Sequence, residues 1–314
     1  GDWSSDVCSS DLTNLFGKGE QVHFKGRNNP LNSLEGKSNG TGIRYDIGLG
    51  DCGIDIGTQT IAYTCESDVK LYELAPHVQN IENEKRRIQR YMDRSKRKTN
   101  PNNFDENCTI KKGVKLEWKY SKKYVKAKNK LKDIYRKQRD IRDQDHNIMI
   151  NEIVKICNVV YVEEMNFKGL QKRVKNTTTN DKTGRINKKK RFGKSLANKA
   201  PSKFLTMLEN KLKAKGGKYF EINTWRVKAS QYNHLNQQYS NKKLSQRWND
   251  FEHNGKQIKV QRDIYSAYLI KNVNDDLCSI DFDECNKDFE KFLVLHNKEI
   301  KRLEGLDNLS SMGV

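Results

Sequence analysis

The sequence predicts an α/β fold: a mixed sheet flanked by helices and interrupted by a long, basic helical hairpin. Three observations carry that prediction. Three short runs, the β-branched 54–64 and 158–163 and then 218–223, read as strands. Residues 78–150, between the first two runs, place apolar side chains at intervals of three or four among many Lys and Arg. Between the second and third runs, Pro201 stands where a helix would begin, and Phe204, Leu208 and Leu212 follow at i, i+4 and i+8 spacing. Hydrophobic residues make up 34% of the 314 and charged residues 32%, which allows one core beneath a large polar surface.

Taken in order, residues 1–12 (GDWSSDVCSSDL) resemble translated sequencing-adaptor sequence and are set aside as an artefact. Residues 13–50 are rich in Gly, Asn and Ser and read as the remnant of an N-terminal nucleic-acid-binding region without a core of its own. The main domain is expected over 51–273. Within it, 54–64 alternates as a strand with a hairpin partner close by. One arm of the helical hairpin carries Ile81, Ile88 and Tyr91; the other carries Leu116, Tyr120, Tyr124, Ala127, Leu131, Tyr135 and Ile141. Thr99-Asn100-Pro101-Asn102-Asn103 breaks the pattern between them. The run 158–163 is short and β-branched, with Val159-Val160-Tyr161-Val162 continuously apolar, as a strand buried on both faces would be. Residues 176–191 are polar and basic and read as a solvated loop that could track a phosphate backbone. Gly216-Gly217 supplies a stop for the helix that starts at Pro201. Residues 274–314 are locally acidic, with Phe289, Phe292, Leu293 and Leu295 suggesting a last helix, and read as an appendage.

Sixty Lys and Arg against forty Asp and Glu give a formal net charge of +20, an electrostatic footprint suited to a polyanion. No apolar run approaches the ~18 residues of a membrane span, and the N-terminus carries no signal-peptide pattern. The seven cysteines are an odd, scattered set with no Cys-x-x-Cys pair. That argues for a reducing compartment and against a cysteine-based zinc site. The expected location is cytoplasmic, associated with the nucleoid of a prokaryote.

Three acids stand out. Asp55 lies in Gly53-Ile54-Asp55-Ile56-Gly57, Glu163 closes Val159-Val160-Tyr161-Val162, and Asp263 opens an amphipathic stretch. They are spaced roughly 100 residues apart, so only a folded domain could join them. Phosphodiester hydrolysis needs charge stabilisation at the attacking and leaving oxygens, which two divalent ions held by hard carboxylates provide. Asp263 would sit in the first turn of a helix, where the dipole favours its ionised form by ~0.3–1 kcal/mol. Without metal, such carboxylates repel one another and their pKa values rise.

At these residues a resemblance becomes specific. Gly53-Ile54-Asp55-Ile56-Gly57, Val162-Glu163-Glu164-Met165-Asn166 and Gln261-Arg262-Asp263-Ile264 resemble the three RuvC nuclease motifs of the TnpB family, transposon-encoded proteins related to the type V CRISPR effectors. The basic hairpin, the Lys168-Gly169-Leu170 turn and the helix from about Ser202 followed by a strand agree with it. The resemblance covers roughly residues 52–271. It implies an RNase H-like (RuvC) fold, Asp55, Glu163 and Asp263 as catalytic metal ligands, two Mg²⁺ ions, and RNA-guided cutting of DNA. The implied partners are a DNA target and a guide RNA, with no membrane and no small-molecule substrate. Contacts to nucleic acid are expected from Arg185, Lys188, Lys189, Lys190, Arg191, Trp225, Arg226, Arg247, Trp248 and Arg262. Trp118, Tyr120, Tyr124 and Tyr265 are further aromatics beside basic residues, with core or hairpin packing the better reading.

Two departures qualify the resemblance. The family commonly carries a four-cysteine zinc ribbon before the third motif, whereas residues 230–260 contain no cysteine and only His234 and His253; no zinc is expected there. The family's larger N-terminal region, which grips guide and target, is reduced here to fewer than about 40 residues, so impaired guide handling is expected. Two rival readings remain. One is a nucleic-acid-binding protein without nuclease activity. The other is an actin-like ATPase or sugar kinase, whose phosphate-binding opening Gly53-Ile54-Asp55-Ile56-Gly57-Thr58 also resembles.

Overall fold

Five of the strand-forming segments assemble into one sheet. The computed structural model describes residues 49–106, 108–111, 113–172, 192–243 and 245–305, all within a compact unit spanning 46–314. The segments 1–12 and 13–48, and the basic residues Arg185, Lys188, Lys189, Lys190 and Arg191, lie outside the described residues.

The expected hairpin is β1 (Asp51–Ile56) with β2 (Thr60–Cys65), antiparallel, closed by a hydrogen bond from Gly57 N to Thr60 O at 2.8 Å. A strand that the sequence reading did not single out, β3 (Val69–Glu73), continues the meander antiparallel to β2. On the other side of β1 lie β4 (Val159–Glu163) and β5 (Lys218–Ile222), both parallel. The order is β3-β2-β1-β4-β5, so β1 is central. The result is a mixed sheet flanked by helices.

The parallel return from β3 to β4 is made by the basic hairpin, α1 (Glu82–Thr99) and α2 (Lys122–Ile156). Its second arm begins later than the spacing suggests. Leu116 and Tyr120 belong to an extended approach, and Ser121 caps α2 by accepting from Tyr124 N at 3.1 Å. The buried stripe of α2 runs through Ile134, Gln138, Met149, Ile150, Ile153 and Val154, while Tyr135 is exposed. The reason is that only the C-terminal turns of α2 meet the sheet. Further out, α1 and α2 have mainly each other and are bridged by polar pairs such as Lys130–Glu84 at 2.9 Å and Gln89 Nε2 to Tyr135 OH at 3.1 Å.

Beyond β4, a short helix α3 (Phe167–Gln171) occupies the expected Lys168-Gly169-Leu170 turn, capped by Asn166, which accepts from Gly169 N at 2.7 Å. Then come α4 (Gly193–Lys199) and α5 (Pro201–Ala214). α5 starts at Pro201 and buries Phe204, Leu208 and Leu212, as the spacing predicts. Its end is explicit: Gly216 has φ +76°, and Gly216 N and Gly217 N donate to Lys213 O and Leu212 O at 3.1 and 2.8 Å. These bonds satisfy carbonyls that the helix would otherwise leave open.

A one-turn helix α6 (Thr224–Val227) follows β5, and two small hairpins follow it, β6 (Tyr232–Asn233) with β7 (Gln238–Tyr239), then β8 (Trp248–His253) with β9 (Lys256–Gln261). Asn254 and Gly255, with φ +52° and +71°, make the tight turn of the second. β9 runs directly into α7 (Arg262–Lys271), whose first turn is capped by Gln261 accepting from Ile264 N at 2.8 Å.

Two cores sit on opposite faces of the sheet. On one, Cys52, Ile54, Ile56, Val160 and Val162 pack with Ile150, Ile153, Phe204 and Leu208 of α2 and α5. On the other, Ala62, Val69, Leu71 and Ile222 pack with α7 and with α8 (Phe282–Glu304). The expectation that 274–314 is an appendage is therefore corrected: Cys285, Phe289, Phe292 and Leu303 of α8 are core residues. Asp283 and Glu284 occupy its first turn and Asp281 caps it, so this acidity marks a helix start. Glu299 Oε1 accepts from Leu71 N at 2.9 Å, covering the edge strand β3. β4 also differs from expectation. Val160 and Val162 are buried, but Val159, Tyr161 and Glu163 are half-buried, because α7 lies chiefly over β1 and β2 and leaves the β4 side of that face partly open. Among the described residues, no helix is long and apolar enough to cross a membrane.

Candidate active site

Gly53 fixes where α7 lies. A Cβ there would stand 2.1 Å from Ala267 O and 2.2 Å from Lys271 N, so only glycine lets the helix backbone rest on β1. Alternation then places Asp55 on the same face, about 6.6 Å further along the strand. Four residues back along α7 from Ala267, about 6 Å along its axis, is Asp263. Helix and strand run in opposite directions, so these two steps carry Asp55 and Asp263 toward the same end of the sheet. Glu163 joins them from β4. Ile54 pairs with Val162 in the parallel register, so the next residue on each strand is an acid and both acids face α7. Three residues remote in sequence thus share one face at one end of the sheet.

The Asp55 carboxyl feels the charges of the other two. Burial raises the Asp55 carboxyl well above the ordinary range, and the charges of Asp263 and Glu163 raise it further; Arg262 pulls it down. Ser266, buried on α7, also favours the Asp55 carboxylate. Burial lifts the Glu163 carboxyl to about 7. Asp263 is held by two arginines, Arg262 (Nη2 to Oδ1, 2.9 Å) and Arg247 (Nη1 to Oδ2, 3.3 Å). The acids suit a hard divalent cation by donor type. The trio is nonetheless splayed. Among the described residues, the only group of three candidate ligands whose donor atoms all lie within 4.8 Å of one another is Cys52, Cys65 and Cys157. A metal shared by the three acids would have to draw Asp263 away from its arginines.

The nucleic-acid candidates divide by position. Thr224 Oγ1 donates to Glu164 O at 3.1 Å, which anchors α6 beside Glu163. There Trp225 is 86% exposed, the most open large aromatic in the site region, and Arg226 follows it on the surface. Arg247 and Arg262 adjoin Asp263. Trp248 is half-buried on β8 with its ring edge-on to His296, centroids 6.4 Å apart, so it packs the hairpin against α8. Tyr265 is buried, and its hydroxyl lies 2.7 Å from His234 Nδ1. Burial depresses the His234 imidazole to about 4. His253 lies 2.7 Å from Glu290 on α8.

Sequence reasoning missed a polar cavity of about 350 Å³ lined by Asn233, Asn236, Gln238, Lys242, Gln246 and Asn249 among others. The Asn249 carboxamide is buried with neither polar atom partnered among the described residues. The cavity borders the acids, since Gln246 O accepts from Arg262 Nη1 at 3.1 Å. A cluster of Asn and Gln between residues 233 and 249 is the sequence signal that could have located it. No protein-family model and no curated protein matches this chain.

Proposed function

We propose that the unit built on this sheet is an RNase H-like, RuvC-type nuclease domain, and that the chain is an RNA-guided DNA endonuclease of the TnpB kind. One observation carries the reading: Asp55, Glu163 and Asp263, contributed by β1, β4 and the first turn of α7, occupy one face at one end of the sheet. In this reading the three acids hold Mg²⁺, which would supply positive charge at the attacking and leaving oxygens of a phosphodiester. The rest belongs to the chain's own side chains. Burial holds both Asp55 and Glu163 at raised pKa, and at Asp55 the charges of Asp263 and Glu163 add to it, a penalty that a bound cation removes. Arg247 and Arg262 are placed to exchange Asp263 for backbone phosphates as a strand arrives. Trp225 offers a stacking surface at the same end. The carboxamide-lined cavity adds hydrogen-bonding groups suited to base edges. The net charge of +20 supports a polyanionic substrate.

A second reading, nucleic-acid binding without cleavage, draws on the ion pairs that engage Asp263. One experiment separates the two. Labelled single-stranded DNA is incubated with Mg²⁺ and wild type, Asp55→Ala or Glu163→Ala. Cleavage by wild type and loss of about two orders of magnitude or more in both variants supports the nuclease. Equal cleavage by all three removes the assigned site. Tight, salt-sensitive DNA binding with no cleavage by any of them favours the second reading.

A further inference from the structure

The face of β1 opposite the acids carries a different chemistry. Cys52 on β1 and Cys65 on β2 are direct cross-strand partners, and Cys157 caps the C-terminus of α2 just before β4. Scattered along the chain, three of the cysteines nonetheless converge in the fold. All three are free thiols, 0%, 3% and 0% exposed, and their sulfurs lie within 4.8 Å of one another. Spacing along the chain could not show this, because the cluster is made by strand pairing and a helix end.

We propose that Cys52, Cys65 and Cys157 form a three-coordinate site for a soft, thiophilic ion. Metal–thiolate bonds of ~2.3 Å place three sulfurs around one centre about 4 Å apart. A pyramidal trivalent centre, which keeps a lone pair, draws them to about 3.5 Å, and contraction by no more than about 1.3 Å reaches either spacing through χ1 changes at three side chains. The donor set is all sulfur, which selects soft ions over Mg²⁺ or Ca²⁺. The surroundings rank the soft ions. The thiols belong to the apolar cluster with Ile54, Ile150, Ile153, Val160 and Leu208, where uncompensated charge is costly. Three thiolates leave a net −2 around a monovalent ion, −1 around a divalent ion and zero around a trivalent centre. The site therefore favours trivalent arsenic or antimony over zinc or cadmium. With arsenite the reaction balances without an oxidant: As(OH)₃ and three thiols give As(SR)₃ and three waters. Three As–S bonds replace three As–O bonds, and the thiol protons leave in the water. An occupant would tie β1, β2 and the α2–β4 junction together, behind the strands that carry Asp55 and Glu163.

The test uses the full chain, incubated separately with arsenite and with Cd²⁺, and read by native mass spectrometry and thiolate-to-metal absorption. The expected result is a 1:1 arsenic adduct lighter by three protons, with Cd²⁺ bound at least tenfold more weakly. Cys52→Ala, Cys65→Ala and Cys157→Ala should each lose the adduct, whereas Cys285→Ala, in the other core, should retain it. Circular dichroism of each variant distinguishes loss of the site from loss of the fold. Should a variant unfold, the three thiols of wild type are alkylated in denaturant with and without prior arsenite and mapped by peptide; arsenite-dependent loss of alkylation at those three supports the site in its place, and equal alkylation counts against it. Absence of binding by either ion, survival of the adduct in any folded single variant of the trio, or tighter binding of Cd²⁺ than of arsenite would overturn the proposal.

Discussion

Gly53→Ala tests the geometry on which the carboxylate cluster depends. The added methyl would meet Ala267 O at 2.1 Å, Lys271 N at 2.2 Å and Lys271 Cα at 2.8 Å, all backbone atoms, whereas ordinary contact begins near 3.4 Å. No rotamer relieves this. α7 must lift from β1 by roughly 1 Å or more, or β1 must bow, and overpacking of this kind costs ~1–3 kcal/mol. Because α7 carries Asp263 and also covers the core with Ile264, Ala267, Tyr268 and Leu269, stability and site geometry should fail together. A displacement of ~1 Å at a catalytic group costs about 100-fold in rate. Urea unfolding of wild type and Gly53→Ala should show a loss of about 2–3 kcal/mol, and on the proposed nuclease reading Mg²⁺-dependent DNA cleavage should fall about 100-fold. Ile54→Val is the control. It trims the opposite face by one methyl for about 1 kcal/mol and leaves α7 seated, so cleavage should be near wild type. A Gly53→Ala protein with wild-type unfolding midpoint and activity within twofold would refute the placement of α7 against β1.

Two further outcomes follow from buried charge. Burial lifts Glu163 to about 7, above an unfolded value of ~4.3, so the folded state holds the proton more tightly in that window. The stabilisation is full below about pH 4 and is lost as pH rises through 7, by up to ~3 kcal/mol and less where water screens the half-buried side chain. Measured with chelator from pH 5 to 8, Glu163→Gln should lose less stability than wild type; parallel curves would contradict the burial of that carboxyl. Glu299 is 1% exposed; it accepts from Leu71 N and pairs with Arg302 at 2.6 Å. Glu299→Ala leaves a buried N–H and a cation without their partner and should cost ~3–5 kcal/mol in urea unfolding, whereas a loss under about 0.5 kcal/mol would restore α8 to the status of an appendage.

Local signals were the legible ones. Pro201, the i, i+4, i+8 spacing of Phe204, Leu208 and Leu212, and Gly216-Gly217 bound one helix correctly because each acts within a turn or two of its own position. The acids were picked out for their places at strand and helix ends, and those places bring them to one face. What was missed depends on partners distant in sequence. β3 reads as Val-Lys-Leu-Tyr-Glu, five residues too short to stand out until β2 and Glu299 supply its hydrogen bonds. Tyr135 fits a heptad but Ile134 is buried, and one turn on Gln138 is buried too and donates to Asn198 Oδ1 of α4 at 2.8 Å, a partner that a two-helix pattern does not contain. The tail's local acidity reads as an appendage, yet Asp281, Asp283 and Glu284 start a helix whose apolar face is enclosed by α7 and β3.

The two faces of β1 show why one strand can serve two incompatible donor sets. Its sequence Asp-Cys-Gly-Ile-Asp-Ile alternates, so Gly53 and Asp55 turn toward α7 while Cys52 and Ile54 turn toward α2 and α5. A hard ion such as Mg²⁺ gives up its waters reluctantly. It therefore needs acids at a place that solvent reaches, and half-buried Glu163 beside the partly open β4 face provides one. A soft ion binds thiolates without needing a retained hydration shell, and a neutral tris-thiolate can lie in a dry core. Shifting β1 by one residue would bury Asp55 among Ile153 and Leu208 and set Cys52 beneath α7, removing both sites at once. Gly53 forbids that slip, because every neighbouring residue of β1 carries a Cβ that the backbone of α7 would have to vacate.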